Sequence, residues 1–454
     1  MGLSTSGLMV LLALSAQAGQ QAGGQPLIDI SGAGFQALPL AIPDVKVMKG
    51  SAPAPEGSPL RPDPAGDAAK EVTKVLRDDL TICGVFKILD PAGYLPNAQK
   101  EGIVAGTFNM ADWLNIGATG LLKVGYTQDG DKRILEAHLY DVAQTREVLS
   151  VRYEGDKTAE RRMAHRIADD VYHYYTRETG VFRTRIATVR QYKGKKDIFL
   201  VDVDGKNGKS LNLPDAINLL PGWDPDGQSL VFTSYINGGP DLYRVNLYSP
   251  GVTKLSNRPG LNTGGVVSPD GKFVAVTLSK DGNSEIYLLD RNGEIVKRLT
   301  NDPQIDSSPS WSPDGKKIAF VSARGGSPQI YVMDVEAGDK SAKRITFQGN
   351  YNQTPDWSPR GDKIAFTARD ERLVFDVFVV DVNTNKIDRI TQDQGNNEEP
   401  TWAPNGRLLA FTSDRNGSSQ LIISTADGTQ QRQVTADKGN LSTPAWGPLP
   451  KGEQ

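Results

Sequence analysis

The sequence predicts an N-terminal α/β domain, two long helices on a small mixed sheet, followed by an all-β six-bladed propeller closed by the C-terminal strand. The first observation is a repeat. The motif Trp-Ser-Pro-Asp-Gly, complete at Trp311–Gly315, returns in degenerate copies whose Trp or its substitute falls at 223, 267, 311, 357, 402 and 446. The steps are 44, 44, 46, 45 and 44 residues, and one four-stranded blade needs about 40–45. The second observation is the strand pattern after each motif. A β-rich run (Lys317–Val321, Lys363–Thr367, Leu408–Thr412) leads to a third ending in Asp (Ile286–Asp290, Ile330–Asp334, Val377–Asp381) and a short fourth (Lys297–Thr300, Lys343–Thr346, Asp388–Thr391). Four antiparallel strands repeated about an axis make a propeller. The third observation is the count. Second-type runs occur six times from Arg185–Val189 onward, and third-type runs six times from Ile198–Asp202 onward. The first set lacks a Trp strand before it, and the last Trp strand, Ser442–Trp446, has nothing after it. Pairing the two closes the ring and covers both free edges.

The motif has a physical reason. Pro sets φ at the second position of a type I turn, Asp is favoured within it, and Gly takes the left-handed position that closes the hairpin.

Taken in order, residues 1–18 hold the apolar run Leu8–Ala16 and the small-residue sequence Ala16-Gln17-Ala18, the pattern of a secretory signal without the usual basic start. Residues 19–34 are rich in Gln and Gly around Leu27-Ile28-Asp29-Ile30. They read either as a mobile extended arm or as the first strand of the next domain. Residues 35–180 form the α/β domain. Within it, Lys49–Gly66 carries prolines at 53, 55, 59, 62 and 64 and reads as an exposed loop. Asp67–Cys83 and Thr158–Arg177 have the apolar spacing of amphipathic helices. Ala111–Ile116 reads as a short helix, and Leu121–Thr127, Arg133–Asp141 and Glu147–Tyr153 as strands. The propeller spans 181–447 and a tail spans 448–454.

Composition excludes several classes. With 51 basic and 54 acidic residues the net charge is −3, so there is no basic field for nucleic acid. Cys83, the one cysteine, sits in an apolar run and reads as a small buried hydrophobe. After the leader no segment is apolar enough to span a membrane, so a soluble exported protein is expected.

Catalytic chemistry finds little support. The three histidines are His138, His165 and His173. The last two lie eight residues apart on one predicted helix, roughly 12 Å, too far to share a metal; both read as helix-surface residues. There is no Gly-x-Ser-x-Gly elbow and no hydrolase domain after the propeller. Asp202–Asn207 has a calcium-loop flavour, but its Gly comes too early, so it reads as a hairpin turn. No catalytic residue, cofactor or metal is expected. What remains is the set of loops entering the six inner strands, Ile217–Pro221, Gly260–Gly265, Gln304–Ser308, Asn350–Thr354, Gly395–Glu399 and Gly439–Thr443. In a propeller they ring one mouth of the channel. Their Asn, Ser, Thr and Gly content fits ordinary turns as well as a docking rim.

The order of these parts resembles the TolB family, periplasmic members of Tol-Pal envelope systems. Ile28-Asp29-Ile30 before Leu38–Ile42, Asp78-Asp79-Leu80, Gly84–Asp90, Leu114–Ala118 and Phe182–Ala187 carry the likeness, together with the six motifs. The resemblance implies a periplasmic monomer without catalysis that maintains outer-membrane integrity and constriction at division. It implies that the lipoprotein Pal docks on the propeller mouth. Contacts would come from Leu261, Asn262, Thr263, Gly264, Asp306 and Ser307, with Asn352, Asn397 and Glu398 from other blades. Asp306 and Ser307 are expected in solvent-facing loops. It also implies that the TolA C-terminal domain takes the arm at Leu27, Ile28, Asp29 and Ile30 by strand addition. Association with outer membrane and peptidoglycan would be indirect. Departures are Val267 for the repeat Trp, Asn246 for an Asp, Arg360 for the turn Asp, and the proline-rich insertion. The alternative of another class is a propeller hydrolase or a peptidase's substrate filter. Glu398 and Glu399 are adjacent, a poor geometry for glycoside hydrolysis. A third reading is a propeller that binds a small ligand or metal.

Overall fold

The computed structural model describes residues 36–49, 64–97, 101–369, 371–436 and 438–450. The expected leader, arm and most of the proline-rich stretch lie outside them.

The first layer is a mixed sheet with two long helices. Strands β1 (Leu38–Ala41), β2 (Lys46–Lys49), β3 (Phe86–Ile88), β4 (Gly120–Asp129), β5 (Lys132–Asp141) and β6 (Arg146–Gly155) form it. The order is β3-β1-β4-β5-β6, with β2 also on β4. β1 runs parallel to β3 and β4, while β4, β5 and β6 are antiparallel neighbours. Helix α1 (Pro64–Ile82) buries Val72, Val75, Leu76 and Leu80, the stripe the sequence spacing predicts. The short α2 (Met110–Asn115) starts where the Asn109 side chain accepts from the Ala111 N–H. Helix α3 (Glu160–Thr176) buries Ile167, Ala168 and Val171 against α1 and the sheet.

His165 is a correction. The apolar stripe of α3 is wide enough to take it inside, and it is 3 % exposed, its Nδ1 2.6 Å from Asp79 Oδ2 on α1. The expectation of a surface histidine holds only for His173, which is exposed. Cys83 is buried as expected, and burial pushes its thiol up to about 12.

The second layer is a ring of six four-stranded sheets. Its first strands in sequence are β7 (Arg185–Tyr192), β8 (Lys195–Asp202) and β9 (Lys209–Ser210), and the C-terminal strand Asn440–Trp446 pairs with β7. Ser442 faces Val189 and Trp446 faces Ile186 in this closure. Thr188 adds a 2.7 Å bond from its hydroxyl to the Ser442 carbonyl. Second strands such as Ser229–Ser234 and Leu408–Ser413 are buried along their whole length. Each blade is covered on both faces by its neighbours, which is why these runs read as continuous apolar segments instead of alternating ones.

The repeat Trp ties blade to blade. The indole N–H of Trp223, Trp311 and Trp402 donates to the carbonyl of Ala445, Val266 and Asp356, each on the preceding inner strand, at 2.9, 3.0 and 3.1 Å. Val267 has no such donor, and Trp357 turns instead to its own Gly361 carbonyl. The Gly of the motif sits at positive φ, 68° at Gly315, as the turn demands.

One apolar cluster continues from α1 and α3 into the propeller through Phe199, Leu408, Leu421 and Trp446. The α/β layer thus rests on one end of the ring, where Arg407 Nε donates to Glu178 Oε2 at 2.8 Å and Arg432 pairs with Asp78.

Candidate partner-docking mouth of the propeller

The mouth is built by one repeated device in the inner strands. Each has a register shift, between Leu219 and Gly222, Thr263 and Val266, Ser307 and Ser310, Gln353 and Asp356, Glu398 and Thr401, and Ser442 and Ala445. At every shift one residue takes positive φ: Leu220, Gly264, Ser308, Thr354, Glu399 and Thr443. A bulge bends the strand and re-aims its side chains. For the five residues that are not Gly, this conformation costs about 1–2 kcal/mol each. Threonines of the preceding blade help to hold it. The N–H of Gly264, Ser308 and Glu399 donates to the hydroxyl of Thr233, Thr277 and Thr367, at 3.3, 3.3 and 2.8 Å.

The bulges surround a channel of about 480 Å³. Two carboxyl groups in its wall carry shifted pKa values. Burial pushes Asp356 up to about 6 while the Trp402 N–H and neighbouring hydroxyls pull it back. Burial pushes Glu399 up to about 7 against the Thr443 N–H it accepts. Glu398, also half-buried, is raised for the same reason.

Four of the expected contact residues are placed differently from the sequence reading. Asn262, Asp306, Asn352 and Asn397 are first residues of strands and essentially unexposed. Asn262 Oδ1 accepts from Ser256 Oγ at 2.5 Å, and Asp306 Oδ2 from Arg324 at 2.7 Å. Asn352 Nδ2 donates to Gln329 Oε1 at 2.8 Å, and Asn397 Nδ2 to Asp376 Oδ1 at 3.1 Å. With Asn218, they occupy the position five residues before the repeat Trp and act as pegs that fix each strand start. The expectation that Asp306 faces solvent is therefore corrected: an inward polar peg satisfies the strand end, and burial lifts its carboxyl to about 6. Ser307, Thr263 and Gly264 remain partly accessible along the wall, Glu398 is half-buried, and Leu261 is exposed. Leu27, Ile28, Asp29 and Ile30 lie outside the described residues.

Apart from Leu261, the sequence reading passed over the residue just ahead of each peg. Ile217, Leu261, Ile305 and Tyr351 are all exposed, on four consecutive blades. Asn396 and Asn440 hold the same place on the other two. Phe347, in the connection leading into the Tyr351 strand, and Leu373, in the turn between the second and third strands of that blade, are exposed as well. The arc Ile217–Leu261–Ile305–Tyr351 follows the Trp register at minus six, so the repeat alone marks it. The arc lies at the end of the inner strands opposite the motif turns, and the α/β layer grips that other end through Asn405, Arg407 and Asp204. Exposed apolar residues at equivalent positions of four consecutive blades, on the end that the described part of the α/β layer leaves free, have the character of an interaction surface.

Comparison with known proteins accords with this architecture. The family described as TolB beta propeller domain matches residues 172–450, and that described as TolB amino-terminal domain matches residues 26–148. The Tol-Pal system protein TolB of Anaeromyxobacter sp. (strain K) is 45 % identical over 442 residues, covering 97 % of this chain and 98 % of that protein. The Tol-Pal system protein TolB of Myxococcus xanthus (strain DK1622) is 43 % identical over 237 residues, 51 % of this chain and 50 % of that one. The crystal structure of TolB from Acinetobacter baumannii superposes with a TM-score of 0.77 at 27 % identity, over 91 % of this chain and 97 % of that one. With both family descriptions matched in order and a relative aligned over nearly its whole length, the chain belongs to the TolB family of Tol-Pal system proteins.

Proposed function

We propose that this protein is a non-catalytic periplasmic adaptor of the Tol-Pal system, holding the lipoprotein Pal at its propeller mouth and TolA through its N-terminal segment. In this reading residues 1–18 direct export and 19–34 form the arm that adds a strand to the TolA C-terminal domain. Residues 35–180 and 181–447 are the two folded domains, and the complex supports outer-membrane integrity and constriction during division. The observation that carries the reading is the apolar arc Ile217–Leu261–Ile305–Tyr351 on the face away from the α/β layer. Rim residues on a rigid scaffold can bind without the scaffold deforming. Among the described residues no helix is long and apolar enough to cross a membrane.

The test is titration of purified Pal into the wild type and into Leu261→Asp/Ile305→Asp. Binding is expected to weaken at least tenfold with the melting temperature nearly unchanged, because both residues are exposed. Unchanged Pal affinity would remove the mouth from the account, and a parallel loss of melting temperature would make these residues structural. Deleting residues 19–34 is expected to abolish TolA capture while leaving Pal binding intact.

A further inference from the structure

The junction between the α/β layer and the first blade holds a polar cluster that the adaptor reading does not use. Helix α3 presents Arg161 and His165, and the end of β8 and the turn that follows it bring Asp202 and Asp204 to meet them. The His165 ring is nearly unexposed, with Nδ1 committed to Asp79 Oδ2, and its Nε2 has no hydrogen-bond partner. A buried polar atom left unpaired costs about 1–3 kcal/mol and calls for an explanation. One ring nitrogen of His165 and one carboxylate oxygen each from Asp202 and Asp204 lie within 4.8 Å of one another. The cluster opens onto a cavity of about 920 Å³, which His165, Arg161, Asp202 and Glu71 help to line.

We infer that this junction is a binding site for a divalent transition-metal ion, with His165 Nε2 and the carboxylates of Asp202 and Asp204 as its ligands. The Asp79–His165 pair has the arrangement that orients a metal-binding imidazole: a carboxylate on one ring nitrogen fixes the tautomer and leaves the other free to coordinate. One imidazole with two carboxylates is a mixed nitrogen–oxygen donor set, which suits zinc and its neighbours, whereas calcium and magnesium take oxygen ligands. Zinc bonds of about 2.0–2.2 Å set neighbouring ligand atoms about 3.3 Å apart, so the three atoms draw together when the ion enters. Asp202 and Asp204 flank a turn, and water from the cavity fills the remaining positions.

Arg161 is the competing cation. Its guanidinium donates to Asp204 Oδ2 at 2.5 Å, lies 3.9 Å from Asp202 Oδ2, and also reaches Glu71. Metal entry displaces it from the aspartates toward Glu71, so the site is of moderate affinity. Its consequence is mechanical: α3 and the first blade become joined through one ion.

Isothermal titration of zinc into the chelator-treated full chain tests the site. The wild type is expected to bind one ion. Asp202→Asn, at the half-buried last residue of β8, weakens binding at least tenfold. Arg161→Ala tightens it at least threefold, because the competing charge is gone. Binding undiminished in Asp202→Asn, or absent from both wild type and Arg161→Ala, would overturn the inference. The former outcome would move the ion elsewhere, for instance to His138 with Glu136 and Glu147. If a variant fails to fold, zinc anomalous scattering from crystals of the wild type decides: a peak between His165 and the two aspartates supports the site, and its absence there contradicts it.

Discussion

At the scale of single residues, polar groups fix the ring more than they decorate it. The pegs Asn218, Asn262, Asp306, Asn352 and Asn397 are buried and bonded, so substitution there removes a partner from a desolvated neighbour. Glu399 is the informative exception. Burial pushes its carboxyl up to about 7 in the folded protein from an ordinary 4.5. As pH rises across that window the unfolded chain releases its proton first, so Glu399 favours folding below pH 4.5 and the advantage is lost as pH climbs through 7. Glu399→Gln keeps an acceptor for the Thr443 N–H and removes the ionisation. The variant is expected to gain up to about 3 kcal/mol over wild type at pH 8 and nothing at pH 4.5, measured by urea unfolding at both values. An equal difference at the two pH values would contradict the assignment.

At the scale of elements, the blade is defined by how it meets its neighbour. Gly293, in the turn between third and fourth strands, has φ 89°, and an added Cβ would lie 1.9 Å from the Leu255 carbonyl of the preceding blade. Gly282 has φ 117° but open space around it. Gly293→Ala is expected to cost at least about 2 kcal/mol, and Gly282→Ala clearly less, by thermal or chemical unfolding of the two variants side by side. Equal losses would mean that backbone strain, not blade packing, governs these turns. The elements were largely legible in the sequence because each rests on a local rule: the Trp period, the Pro-Asp-Gly turn, the apolar spacing of α1 and α3. The bulges were not. A positive φ at Ser308 or Thr354 has no residue signature: Ser308 is held by Thr277 a blade away, and Thr354 meets the Thr367 hydroxyl on the next strand of its own blade.

At the scale of the whole molecule, the pairing of Asn440–Trp446 with β7 makes the ring rigid, and the α/β layer covers one end of it. Among the described residues the other end stays open, rimmed by exposed apolar residues. Closure could be read from counting strands, because an unmatched first set and an unmatched last strand have one economical solution. The site was legible only by region. Sequence reasoning pointed to the loops entering the inner strands but chose from them the polar residues Asn262, Asp306, Asn352 and Asn397, which are buried, and passed over the exposed Ile217, Ile305 and Tyr351 beside them. An isolated exposed hydrophobe is ordinary, and only the ring places four of them side by side. His165 was misjudged for a related reason: its partner Asp79 is 86 residues away.

The central claim, that the open mouth and not the domain-covered end receives the partner, is tested most directly by hydrogen–deuterium exchange of the full chain with and without Pal. The account predicts new protection in the segments containing Ile217, Leu261, Ile305 and Tyr351, and none in the motif turns at Pro269–Gly271 and Pro313–Gly315. Protection confined to those turns or to the α/β layer would contradict it.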